Sequence, residues 1–265
     1  MTAGQVWTRE LLGELRRQRY RPRAWSGFLA ASFGRARATR DARSGEHRQT
    51  LALGGAGLAA WIAVAGVRPW LALAGALWWL LVVAMVDWHL GMLDDQRRLG
   101  LANVLSTLRA GVVPALLVVS PLGLAAVLIP AGILDGIDGP IARARGEATR
   151  LGLWLDGSVD GLVLSAAAVG AGRHQLLPWW AVALVLGRHA AQWLAVALAY
   201  FVRLAAPAGL GFVSGKLPGL AVFTGLALAS LHLGDGVVLV ALGATGGLAT
   251  FAASALRGWR LQLAR

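Results

Sequence analysis

From about residue 50 onward the chain passes through one apolar stretch after another, each close to twenty residues long and broken by short polar turns. The stretches fall at about 50–67 and 70–87, then from near Asn103, then at about 122–138, 152–171, 178–201, 210–231 and 235–256. About twenty apolar residues in a helix match the hydrocarbon thickness of a bilayer, and a helix satisfies its backbone polar groups within the segment. The pattern predicts an all-α, polytopic membrane helix bundle of about eight spans: a six-helix core behind an N-terminal two-helix hairpin. With 57% hydrophobic and only 14% charged residues, the chain lies outside the range of an ordinary soluble domain. It has no cysteine, so neither disulfides nor thiolate metal sites enter the account.

Charge is unevenly placed. Residues 1–48 carry eleven arginines against Glu10, Glu14, Asp41 and Glu46, a net of +7 out of +12 for the chain. Beside membrane spans, such a segment marks the cytoplasmic side and lies against anionic headgroups; membrane lipid, not nucleic acid, is the expected partner. Residues 5–20 place Trp7, Leu11, Leu12 and Leu15 on one face, and residues 25–33 repeat the idea with Trp25, Phe28, Leu29 and Phe33. Both read as amphipathic interfacial helices. The first fifty residues lack the pattern of a signal peptide. Three regions follow: a basic arm at 1–48, an accessory hairpin and interfacial segment at 49–100 turning at Arg68-Pro69, and a core at 101–265. With the N-terminus inside, Arg97, Arg98, Arg143, Arg145, Arg150, Arg203, Arg257, Arg260 and Arg265 fall on the cytoplasmic side, against Arg68 and Arg173 outside. The positive-inside rule is met, and a multi-pass protein of the cytoplasmic membrane is expected. Asp87-x-His89 has the spacing of half a metal site but reads better, with Asp94 and Asp95, as a solvated interfacial segment.

One stretch concentrates ionised groups where they are expensive unless they have a function: DGIDGPIARARGEATRLGLWLDGSVD, from Asp135 to Asp160. Asp135 and Asp138 are three apart and Asp156 and Asp160 four apart, and each interval puts both carboxylates on one helix face. Two such pairs on adjacent antiparallel helices would make a pocket with a charge of about −4, suited to two divalent cations, with Mg²⁺ or Mn²⁺ favoured by hard oxygen ligands. Paired metals point to phosphoryl transfer or a related displacement.

The full string, D-x2-D-G-x2-A-R-x8-G-x3-D-x3-D, resembles the signature of the CDP-alcohol phosphotransferase (phosphatidyltransferase) family. Those integral membrane enzymes join a CDP-linked donor, usually CDP-diacylglycerol, to an alcohol and release CMP. The segment NVLSTLRAGVVPALL is similar to the opening of the family's first core helix, with Asn103, Ser106 and Arg109 at the Asn, Thr and Arg places. The resemblance covers about 103–231 well and 232–256 as hydrophobic pattern; residues 1–100 fall outside it. It implies that Asp135, Asp138, Asp156 and Asp160 bind two Mg²⁺ or Mn²⁺ ions and that Asp160 is the general base. It implies a donor site at Asn103, Ser106, Gly139, Ala142, Arg143, Thr149 and Gly152, in which Arg143 pairs with the pyrophosphate, Gly139 lets it approach the backbone and Gly152 permits tight helix packing. Many relatives that use a phosphorylated acceptor carry a basic residue after the last Asp; here it is Gly161. Family members commonly form homodimers, and Gly243-x3-Gly247 has the small-residue spacing of close helix packing.

Two later basic residues complete the expected site. Arg188 falls near the middle of a span, where a guanidinium needs a polar surrounding, and is expected to face a wet cavity. Lys216 is the single lysine beside twenty-four arginines. Both are assigned to the acceptor's phosphate or polar head. Lys216 is not part of a P-loop, since Leu210 and Leu217 stand at two of its fixed places. Three other classes compete: an ion-coupled transporter, a UbiA-like prenyltransferase, and a catalytically silent scaffold. The first predicts acids scattered over several helices, whereas four of the six after residue 103 lie in one motif. The second does not need Gly-x-x-Ala-Arg, and the intact motif speaks against the third.

Overall fold

The computed structural model describes residues 3–93, 99–147, 149–202 and 216–263. Among them the regular structure is helical throughout: α1 (Ala3–Arg17), α2 (Pro22–Ala38), α3 (Ser44–Val64), α4 (Pro69–Leu93), α5 (Leu101–Gly111), α6 (Val113–Leu116), α7 (Pro121–Ala144), α8 (Arg150–Arg173), α9 (Trp179–Val202), α10 (Lys216–Ser230) and α11 (Gly236–Leu263). Each expected span overlaps a described helix, but among the described residues only five helices are long and apolar enough to cross a membrane: Pro69–Leu90, Pro121–Ala144, Leu151–Arg173, Trp179–Val202 and Gly236–Leu256. The other three fall short for local reasons. Helix α3 spends its first turns on Glu46, His47, Arg48 and Gln49. The stretch from Asn103 is interrupted between α5 and α6, where Pro114 lacks the N–H to continue the ladder. Helix α10 is described only from Lys216, and the earlier part of that expected span, like Asp94, Asp95 and Arg203, lies outside the described residues.

Backbone contacts divide the chain into two compact units, Met1–Gly111 with Gly136–Asp156 and Val112–Asp135 with Gly157–Arg265, so α7 and α8 each contribute to both. In the first unit, α3 and α4 are clamped by a reciprocal exchange of tryptophan and glycine. The Trp79 ring fills the space a side chain at Gly57 would take, the Trp61 ring does the same at Gly75, and Trp79 Nε1 donates to the Gly54 carbonyl at 2.8 Å. Val86, Leu90, Leu99 and Leu151 form a buried cluster tying α4 to the starts of α5 and α8. The basic arm docks on α4. Helix α2 buries Ala24, Phe28, Ser32 and Ala36, and Trp88 Nε1 donates to Ser32 Oγ at 3.0 Å. Leu29 and Phe33, expected on the same face as Phe28, are exposed, because the 24/28/32/36 row governs the packing. Asp87 pairs with His47 at 2.9 Å and Arg40 at 3.7 Å, while His89 Nδ1 hydrogen-bonds the Met85 carbonyl at 2.7 Å. The two residues of the Asp87-x-His89 spacing thus have separate partners.

In the second unit, α10 and α11 meet backbone to backbone. A Cβ at Gly225 would lie 2.6 Å from the Gly236 carbonyl oxygen, and one at Gly243 would lie 2.7 Å from that of Pro218. Gly243 and Gly247, expected to mediate close helix packing, therefore act within the chain: Gly243 faces α10, and the guanidinium of Arg188 on α9 covers Gly247. Arg173 Nη1 donates to the Leu117 carbonyl at 2.8 Å, pinning the end of α8 to the turn after α6.

Candidate active site

Helix α5 presents a buried polar face built by residues at helical spacing: Asn103, Ser106, Thr107 and Arg109. Its start is clamped from outside. Gly100, at φ +79°, turns the chain into the helix, where Leu101 N–H donates to Glu147 Oε2 at 2.9 Å. A carboxylate at a helix N-terminus complements the dipole and the free N–H groups there. Leu99 N–H donates to Gln49 Oε1 at 2.9 Å, so α3 also holds this corner. Asn103 is not an N-cap: its Nδ2 donates back to the Leu99 carbonyl at 2.7 Å. Thr149 is the cap of α8, its Oγ1 accepting the Gly152 N–H at 2.9 Å. Gly152 is demanded by packing, since a Cβ there would lie 2.7 Å from Asn103 Oδ1. At Gly139 such an atom would meet only Arg143 Nη1 at 3.4 Å, so packing alone does not require glycine there. Ala142 is half-buried beside it and Arg143 is exposed.

The acidic residues divide into two settings. Asp138, 4% exposed, has its Oδ2 3.0 Å from Ser106 Oγ and 3.4 Å from Arg109 Nη1. The same Arg109 nitrogen lies 3.3 Å from Asp156 Oδ1, so one buried guanidinium bridges two of the motif's aspartates. Ser106 Oγ also lies 3.1 Å from the Ala102 carbonyl; its one proton serves one acceptor at a time, and the carboxylate is the stronger of the two. Asp135 and Asp160, both in the second unit, offer carboxylate oxygens within 4.8 Å of each other, and Asp156 stands one turn before Asp160 on α8. Half-buried carboxylate oxygens so placed suit a hard divalent cation.

Arg188 is 1% exposed, donates from Nη1 to the Gly243 carbonyl at 3.3 Å, and is within electrostatic reach of Asp160. Among the described residues it is thus packed against α11, at Gly243 and Gly247. Lys216 is the first residue of α10; its side chain lies outside the described residues. Sequence reasoning passed over Glu147, Gln49, His189 and Gln192. For the last two a signal existed, since polar residues adjoin Arg188 inside an apolar span; nothing in the spacing announces Glu147 or Gln49.

The model of the CDP-alcohol phosphatidyltransferase family matches residues 99–254. The chain belongs to this family. The matched region of this CDP-alcohol phosphatidyltransferase family member contains every candidate site residue and leaves the basic arm, α3 and α4 outside it. Among curated proteins, the chain is 35% identical over 104 residues to a Mycobacterium tuberculosis protein named cardiolipin synthase, covering 37% of this chain and 50% of that protein; a Mycobacterium bovis protein of the same name matches equally. It is 34% identical over 98 residues to an M. tuberculosis protein named phosphatidylglycerophosphate synthase, covering 33% of this chain and 47% of that protein. The chain thus spans about half the length of the curated relatives it matches. No solved structure matches.

Proposed function

We propose that the protein transfers a substituted phosphate, phosphatidyl in the first instance, from a CDP-linked donor such as CDP-diacylglycerol to an alcohol, releasing CMP in phospholipid biosynthesis. The observation that carries this reading is the convergence of the Asp135 and Asp160 carboxylates within the second unit, with Asp156 one turn before Asp160, inside the family's matched region. Asp135, Asp138, Asp156 and Asp160 would hold two Mg²⁺ or Mn²⁺ ions, which when bound supply Lewis-acid charge at the pyrophosphate oxygens. Arg109, buried against Asp138 and Asp156, fixes two of these carboxylates before any ligand arrives.

The remaining roles belong to the chain's own side chains. Asn103, Ser106, Ala142, Thr149 and Gly152 shape the donor's nucleotide site, Gly139 admits the donor to the backbone, and Arg143 pairs with the pyrophosphate. The acceptor hydroxyl attacks the donor phosphorus in line. A new P–O bond forms, the bond from that phosphorus to the oxygen bridging to CMP breaks, and the hydroxyl proton passes to Asp160. Arg188 and Lys216 take the acceptor's phosphate or polar head. The basic arm keeps the N-terminus and this site on the cytoplasmic side of the cell membrane, where CDP-linked donors are made available, and the working form is a homodimer.

The test is to incubate purified protein with CDP-diacylglycerol, Mg²⁺ and one acceptor at a time: glycerol phosphate, inositol phosphate, serine, glycerol or phosphatidylglycerol. The lipid product is then identified by mass spectrometry. A phosphatidyl ester of one acceptor, formed in step with CMP, supports the reading. Absence of any such ester, with CDP-diacylglycerol recovered intact in every case, overturns a phosphatidyl donor.

A further inference from the structure

Helix α9 buries three polar side chains within five residues: Arg188 at 1% exposure, His189 at 4% and Gln192 at 4%. Gln192 hydrogen-bonds His189, yet among the described residues His189 Nε2, Gln192 Nε2 and Arg188 Nε are buried with no hydrogen-bond partner. Buried donors left unpaired are costly and rare, and polar groups inside a span mark function by default. The cluster lies against the helix that bears the proposed base. A Cβ at Gly161, directly after Asp160, would sit 3.2 Å from His189 Nδ1 and 2.8 Å from Trp193 Cζ2. Glycine at 161 is therefore what allows the His189 ring to reach the Asp160 turn of α8.

The chemistry of the three groups differs in a useful way. A guanidinium suits a phosphate oxygen. An imidazole nitrogen and an amide N–H suit a hydroxyl, which both donates and accepts. We propose that His189 and Gln192 recognise an acceptor hydroxyl other than the one that reacts, beside a phosphate held by Arg188, so that the acceptor is a polyol phosphate head group. This rests on the phosphotransfer reading above. A free glycerol phosphate and a lipid bearing glycerol phosphate share that chemistry, and the experiment separates them.

The full-length protein is assayed with CDP-diacylglycerol and Mg²⁺ against four acceptors. These are glycerol 3-phosphate and phosphatidylglycerol, each beside its analogue lacking the central hydroxyl (1,3-propanediol phosphate and phosphatidyl-1,3-propanediol). In one arm the wild type favours the diol over its deoxy partner by about tenfold or more in kcat/KM, because a site built around a hydroxyl rejects the analogue without it; that arm names the source. His189→Leu and Gln192→Leu lower kcat/KM for the diol and bring the ratio toward one. A purely structural role would depress both acceptors alike and keep the ratio, and that result, or a wild-type ratio near one in both arms, overturns the proposal. His189→Gln and Gln192→Asn serve where the leucine variants do not fold. If the wild type releases no CMP with any acceptor, the phosphotransfer reading fails, and thermal stabilisation decides the recognition separately. Stabilisation by glycerol 3-phosphate or short-chain phosphatidylglycerol that exceeds the deoxy analogue's, and that the variants lose, supports it. Equal or absent stabilisation overturns it.

Discussion

Replacing Arg109 by methionine, which keeps most of its volume, tests the electrostatics of the site in the absence of substrate. Arg109 is 3% exposed and its Nη1 lies 3.4 Å from Asp138 Oδ2 and 3.3 Å from Asp156 Oδ1. The two contacts are not equivalent. The Asp138 side chain is 6% exposed, whereas that of Asp156 is 44% exposed and well screened, so its share is at most about 1 kcal/mol. Loss of the guanidinium leaves Asp138 as a buried carboxylate, for which removal of one partner typically costs about 3–5 kcal/mol. At about 2–4 °C per kcal/mol for a chain near this size, melting of the purified protein should fall by roughly 6–20 °C. The decisive step is the second substitution. In the wild type, Asp138→Asn destabilises by removing the buried carboxylate that faces Arg109; in the Arg109→Met background it restores roughly 1–3 kcal/mol by removing a buried carboxylate that has lost its guanidinium. A reversal of sign between backgrounds is the expected result. An equal effect of Asp138→Asn in both backgrounds, or a cost under about 1 kcal/mol for Arg109→Met, would refute this coupling.

Two further substitutions probe the scaffold. Gly152→Ala would drive a methyl group to 2.7 Å from Asn103 Oδ1, costing about 1–3 kcal/mol by overpacking; steady-state kinetics should show a raised KM for the CDP-linked donor with little change in acceptor KM. Trp79→Ala empties the α3–α4 clamp, where Trp79 is 1% exposed, and should cost about 3–5 kcal/mol. Gly57→Ala, destabilising in the wild type because Trp79 occupies its Cβ position, should become nearly neutral in the Trp79→Ala background when melting temperatures are compared.

The sequence was informative where one residue type at one spacing had a single physical use. The long apolar runs could be satisfied only by helices at those positions, and the intervals of the Asp135/Asp138 and Asp156/Asp160 pairs made them legible as carboxylates able to share a divalent cation. Spacing could not say which neighbour each carboxylate would take. Asp138 reads as an equal member of the quartet, yet its setting is made by Ser106 and Arg109 from α5, more than two dozen positions earlier in the chain. The same limit applies to Glu147 and Gln49, whose roles exist only because α5 begins where it does, and to Gly243 and Gly247, whose small size serves α10 and Arg188 within the chain. Helix α2 was legible in part: period placed Phe28, Leu29 and Phe33 together, but the row that packs inward is Ala24, Phe28, Ser32 and Ala36, while Leu29 and Phe33 stay exposed, open to the interface expected of them.

Metal-dependent phosphotransfer is best tested by CMP release from CDP-diacylglycerol by the purified wild type and by Asp160→Asn, each titrated with Mg²⁺ or Mn²⁺ after chelation and with the preferred acceptor present. Release should be absent without the metal, saturable with it, and at least about a thousandfold lower in the variant, as expected of a residue proposed both to hold metal and to take the proton. Release that persists in the chelated enzyme, or that survives Asp160→Asn, would contradict that proposal.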